Sequence, residues 1–237
     1  MLGDMLQVCG MGFALSRNRF VRQHWVLLGI IALMSVIYLC QEIFGESFYG
    51  SWMPIPVVVV ESWNRLLGGG ADAADWQHLS TMFSSAFLHG GLDHILVNMV
   101  FLWMFGALLT ELLGKGTMMV IFIFTALTAS LGQVLLNLES YVPFLGASGV
   151  VMGFEGAYFG LALRYALPDP HVWPLARPVE PSQLVLFAAI GVIIDLTSIA
   201  GASEAGIAYG AHVGGFIGGL ALGLLLLPCP KSAQRRL

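Results

Sequence analysis

The sequence predicts an all-α membrane protein: a bundle of six transmembrane helices with a long outer loop between the first two. Three observations predict it. Of 237 residues, 57% are hydrophobic and only 10% are charged, whereas a soluble domain carries about 25% charged residues. Six stretches come close to the ~20 apolar residues that a helix needs to cross ~30 Å of hydrocarbon. The basic residues also sort onto alternate connections, a pattern that five or seven spans would scatter.

The first span is expected at 24–44. Arg17, Arg19 and Arg22 precede it in the order of a signal peptide, but the run ends in CQEIFGES with no small-x-small cleavage site, so it reads as a retained span. The second span, 92–113, contains VNMVFLWMFGALL. GKG at 114–116 separates it from the third, 117–136, and NLESYVP at 137–143 precedes the fourth, 146–165. A segment with five prolines, 168–181, cannot continue as helix. The fifth span is expected at 183–199 and the sixth at 209–227, with GASE before it. The connection 45–91 is too long for a plain linker and reads as functional or partly embedded. The organisation is therefore a cytoplasmic N-terminal segment (1–23), one membrane domain (24–228) and a short basic cytoplasmic tail (229–237).

With six spans, Arg17, Arg19, Arg22, Lys115, Arg164, Arg177, Lys231, Arg235 and Arg236 share one side, and the other side receives only Arg65. Lys and Arg are retained on the cytoplasmic side, so both termini are expected there. The net charge of -4, with no basic stripe, gives no reason to expect a nucleic-acid partner. Cys9, Cys40 and Cys229 are few, odd in number and far apart. They form neither a disulfide framework nor a metal knuckle and read as apolar filler.

Polar side chains at membrane depth are costly and mark function. The second, fourth and sixth spans all start on the outer side. His94 and Asn98 open the second, Ser148 the fourth and His212 the sixth. At 1.5 Å per residue all four sit in the outer third of the membrane. Glycines make contact between their helices feasible. Gly146 and Gly149 flank the serine in LGASGVVMG, and the sixth span repeats glycine at four-residue spacing: Gly210, Gly214, Gly218 and Gly215, Gly219, Gly223. Such spacing suits close helix crossing. Ser148 could then be a nucleophile with His212 as its general base. No acid is positioned to orient the histidine, so the expected unit is a dyad. His94 and Asn98, at i and i+4, share one helix face and could hold an oxyanion with the Ser148 N–H. Ordinary packing would explain the serine and the glycines equally well, and a hydrogen bond to a neighbouring loop would explain each histidine. His89, just before the second span, is expected near the water interface.

FLHGGLDHILVNM, LGASGVVMG and GAHVGGFIGG, in that order over about 85–227, resemble the rhomboid intramembrane serine proteases. The resemblance implies Ser148 as nucleophile, His212 as base, and His94 and Asn98 in the oxyanion hole. It also implies Gly146 to Gly149 as the GxSG motif, Gly215 and Gly219 as packing glycines, and Glu111 as a structural glutamate. Further implications are single-span membrane-protein substrates, a site opening to the non-cytoplasmic side, a gate formed by the fifth span and 199–209, and no cofactor. The expected location is the plasma (inner) membrane of a bacterium. Two positions depart from the pattern. Met152 stands where an aromatic often stacks on the histidine, and Trp76-Gln77 stands for a Trp-Arg pair. Three rival readings compete with it: zinc held by His89, His94 and His212, an inactive rhomboid-like membrane-protein binder, and an ion pathway through Asp93, Glu155 and Asp195.

Overall fold

The computed structural model describes residues 2–169, 180–186, 190, 193 and 208–235, with side chains for all of these except 2–20 and 234–235. Most of the expected fifth span, Asp195 and most of the expected gate therefore lie outside the described residues.

The chain is mainly helical. α1 (Leu2–Phe44) runs unbroken through the expected N-terminal segment, and Val21–Phe44 within it is long and apolar enough to cross a membrane. α5 (Leu92–Leu113) and α6 (Lys115–Leu136) meet at Gly114, whose φ of 85° lets the chain reverse within one residue. α7 (Ser148–Arg164) is followed by a two-residue strand β1 (Tyr165–Ala166), and α8 (Tyr209–Ala221) continues into a π-helical turn, Leu222–Leu226. β1 pairs antiparallel with β2 (Gln234–Arg235), tying the C-terminal segment to the end of α7.

Among the described residues, four helical segments are long and apolar enough to cross a membrane: Val21–Phe44, Leu92–Leu113, Lys115–Leu136 and Tyr209–Leu226. α7 has 17 residues, about 26 Å of helix, and is walled in by α5, α6 and α8. Leu27, Met34, Leu102, Phe105, Phe122, Phe154 and Tyr158 form the shared core. Outward from it, Leu33, Val36 and Leu39 on α1, Val97 and Val100 on α5, and Val120, Ile123 and Leu127 on α6 are exposed. An exposed apolar surface of that extent needs hydrocarbon around it.

The two glycine rows of α8 face different partners. A Cβ on Gly215 would overlap the Gly149 carbonyl oxygen of α7, and one on Gly219 the Gly153 carbonyl. Gly214 instead lies against Gly132 of α6, and Gly218 against Thr128. α8 is thus pressed backbone-to-backbone into the groove between α6 and α7.

The connection 45–91 is folded. It contains α2 (Glu46–Tyr49), α3 (Pro56–Leu67) and α4 (Ala73–Ser84), followed by a 3-10 turn, Ser85–Phe87. Pro56 stands in the first turn of α3, where its missing N–H costs nothing. Asp72 and Asp75 form a reciprocal capping box on α4, each side chain accepting from the other's backbone N–H. Asp75 also accepts from Arg65 Nε at 2.8 Å, which ties α3 to α4. The Arg65 guanidinium holds the Asp75 carboxyl well below the usual carboxylate range. A depressed folded pKa gives a contribution that is in place above the ordinary value of about 4 and is lost as pH falls toward the folded value. Asp75→Asn is therefore expected to melt below the unmodified protein by a constant margin from pH 8 to about pH 5. In thermal unfolding that margin closes only in stronger acid.

Candidate active site

α5, α7 and α8 begin at the same end of the bundle, and His94, Ser148 and His212 all lie in their first turns. His212 Nε2 lies 2.8 Å from Ser148 Oγ. Both side chains are half-buried. The bond joins residues 64 apart in sequence. It exists because the Gly149–Gly215 contact brings the two helix starts together.

The approach to Ser148 requires a glycine at 146. Its φ is 130°, and a Cβ there would lie 2.9 Å from His94 Cε1, 3.1 Å from His94 Nε2 and 3.5 Å from Ser148 Oγ. The space beside Gly146 is thus bordered by the His94 ring and the serine hydroxyl. His94 Nδ1 accepts from the Gly90 N–H at 3.3 Å. That puts the ring proton of a neutral His94 on Nε2, the nitrogen facing Gly146. Asn98 is buried one turn along, and its Nδ2 donates to the His94 carbonyl at 2.9 Å.

The folded connection holds this loop in place. The Gly146 N–H donates to the Ser85 carbonyl at 3.0 Å, and the Phe144 N–H to the Pro54 carbonyl at 3.2 Å. Behind Ser85, Ser130 Oγ of α6 donates to the Met82 carbonyl at 2.6 Å.

The Rhomboid domain family matches residues 76–229. The chain belongs to the rhomboid family. Two proteins named Rhomboid protease GlpG, from Serratia proteamaculans and Yersinia enterocolitica, are 30% and 31% identical to it over 193 residues, which is 81% of this chain and 59% of theirs. A Yersinia pestis protein of the same name is 30% identical over the same length. The chain spans about three fifths of the length of these relatives. A rhomboid with helices of this length and apolarity is an integral membrane protein.

Several sequence expectations are corrected in this rhomboid. His89, expected near the water interface, is buried within the protein, with its ring edge-on to His94 at 5.4 Å between centroids. Burial, with the His94 ring nearby, pushes its pKa down to about 4. The three-histidine zinc set does not assemble: His212 Nε2 meets Ser148, and among the described residues no three His, Cys, Asp or Glu side chains group to hold a metal. Met152 packs with Phe216, and the aromatic beside His212 is Tyr209 of its own helix, ring centroids 6.2 Å apart. Cys229 is exposed, not filler.

Sequence reasoning missed Gln41. Its side chain donates to the His89 carbonyl and accepts from the His89 N–H, both at 3.1 Å. This bidentate clamp fastens α1 to the turn whose Gly90 N–H engages His94. A buried amide closing an apolar run was the available signal. Gln41→Leu leaves both His89 backbone groups unpaired, at about 1–3 kcal/mol each. It is expected to lower the thermal unfolding temperature of the detergent-solubilised protein.

Proposed function

We propose that this rhomboid is an intramembrane serine endopeptidase that cleaves single-span membrane proteins through a Ser148–His212 dyad. The 2.8 Å bond between Ser148 Oγ and His212 Nε2 carries this reading. His212 takes the hydroxyl proton as Ser148 Oγ attacks the scissile carbonyl carbon. The carbonyl oxygen becomes an oxyanion in the space beside Gly146. The His94 Nε2–H and the second Nδ2–H of Asn98 supply hydrogen bonds there. His212 then protonates the leaving amine, an acyl-enzyme remains on Ser148, and water deprotonated by His212 releases the acid. A substrate helix must first unwind, because its backbone groups are internally bonded.

The same proposal includes six spans, the fifth at 183–199, with segments 1–23 and 229–237 cytoplasmic and the dyad opening to the opposite side of a bacterial inner membrane. The basic residues support that orientation.

A fluorophosphonate probe tests the chemistry. The purified full chain is expected to label, and Ser148→Ala and His212→Ala to lose the label. An unlabelled native chain, or equal labelling of Ser148→Ala, sinks the protease reading and leaves the inactive membrane-protein binder.

A further inference from the structure

At the end of the bundle away from Ser148, two cavities meet at one lysine. The first is a groove of about 460 Å³ between α1 and α6, lined by Trp25, Gly29, Leu33 and Met119 and ending at Lys115. It is almost wholly apolar. Its floor is open because a Cβ on Gly29 or on Gly116 would meet nothing within 4 Å. The second cavity, about 600 Å³, also contains Lys115, together with Arg22 and Lys231, so three chain segments bring cations to it. Glu111 is on its wall, with its carboxylate 3.8 Å from His24 Nε2. α6 starts here at Lys115 without a side-chain cap, so the positive end of its dipole adds to the three cations. Lys115 Nζ sits 5.2 Å from the centre of the Trp25 ring, at the junction of the two cavities.

An apolar channel that opens into a cationic chamber at the end of a membrane span matches a molecule with a hydrocarbon chain and an anionic head. We propose that this is a binding site for an anionic glycerophospholipid, with its phosphate among Arg22, Lys115 and Lys231 and one acyl chain along Trp25, Gly29 and Leu33. Apolar length and charge complementarity choose this occupant over bulk zwitterionic lipid. The site is about 25 Å along α5 from His94 and does not rest on the Ser148 chemistry.

Bromine quenching of Trp25 tests it. The full chain is reconstituted in phosphatidylcholine vesicles containing a small fraction of phosphatidylglycerol or phosphatidylcholine with brominated acyl chains. Brominated phosphatidylglycerol is expected to quench severalfold more than brominated phosphatidylcholine, and Trp25→Phe to remove the excess. Lys115→Gln and the surface variant Lys231→Gln should each reduce the preference about fivefold. Gly29→Phe, which fills the groove and leaves the charges, should abolish it. Equal quenching by the two lipids overturns the proposal, whether bulk lipid or a second copy of the chain occupies the groove. An excess that survives Gly29→Phe reduces the effect to diffuse charge attraction and also overturns it. So does displacement of the lipid by soluble glycerol phosphate, because the occupant is then a free phosphate.

Discussion

Ser148→Ala is expected to reduce cleavage of a transmembrane substrate by at least about 10⁴-fold, and His212→Ala to do the same. The double variant should be no worse than either single one. A nucleophile and its base work as a unit, and removing either removes the covalent route, so their losses do not add. Stability should barely register the change, because Ser148→Ala gives up one half-buried hydrogen bond, worth about 0.5–1.5 kcal/mol. Cleavage assays and thermal unfolding on the same preparations separate the two effects. A double variant that multiplies the single losses would mean that Ser148 and His212 act in separate steps, and the dyad would have to be abandoned.

The long helices were legible where apolar runs end at a glycine or a polar cluster. The expected 92–113 coincides with α5, Leu92–Leu113, because GG before it and GKG after it interrupt the run on both sides. α1 begins at Leu2, well before the expected span at 24–44. Hydropathy marks the stretch that lipid can surround, whereas helix propensity is indifferent to whether lysine, arginine or leucine continues the turn. The helices inside 45–91 are short and carry no long apolar run, so a search for spans passes over them. Their signals are local: Pro56 opening α3 and the Asp72–Asp75 box opening α4.

At the site, a shared level along the bundle was legible and lateral neighbours were not. Counting turns from the starts of their three helices puts Ser148, His94 and His212 at one level. Nothing in the spacing says which glycine row of α8 faces which helix, because 210/214/218 and 215/219/223 have the same period. The complementary surfaces decide it: Gly149 and Gly153 on α7 offer bare carbonyls to one row, and Gly132 and Thr128 on α6 receive the other. The burial of His89 was illegible for a related reason. The side chain that holds its backbone, Gln41, is 48 residues away on another span.

Gly215→Ala is the substitution expected to do the most damage to the fold. Its methyl carbon would fall on the Gly149 carbonyl oxygen. Overpacking a well-packed interior costs about 1–3 kcal/mol when side chains can adjust. Here the obstacle is backbone, which has no rotamer to change, so the expected loss is at the top of that range or beyond it. The helices must move apart, and the contact that is forced open adjoins Ser148. A shift of about 1 Å there is worth about 10²-fold in rate. Gly219→Ala makes the same kind of overlap with the Gly153 carbonyl one turn farther along. It should cost similar stability with a smaller loss of cleavage. Gly29→Ala meets open space on α1 and should be neutral or stabilising by up to about 1 kcal/mol. The three variants together distinguish packing from alignment: thermal unfolding should group Gly215 with Gly219 against Gly29, and residual activity should separate Gly215 from Gly219. If Gly215→Ala melts and cleaves as the unmodified chain does, α7 and α8 do not make the backbone contact on which the Ser148–His212 bond depends.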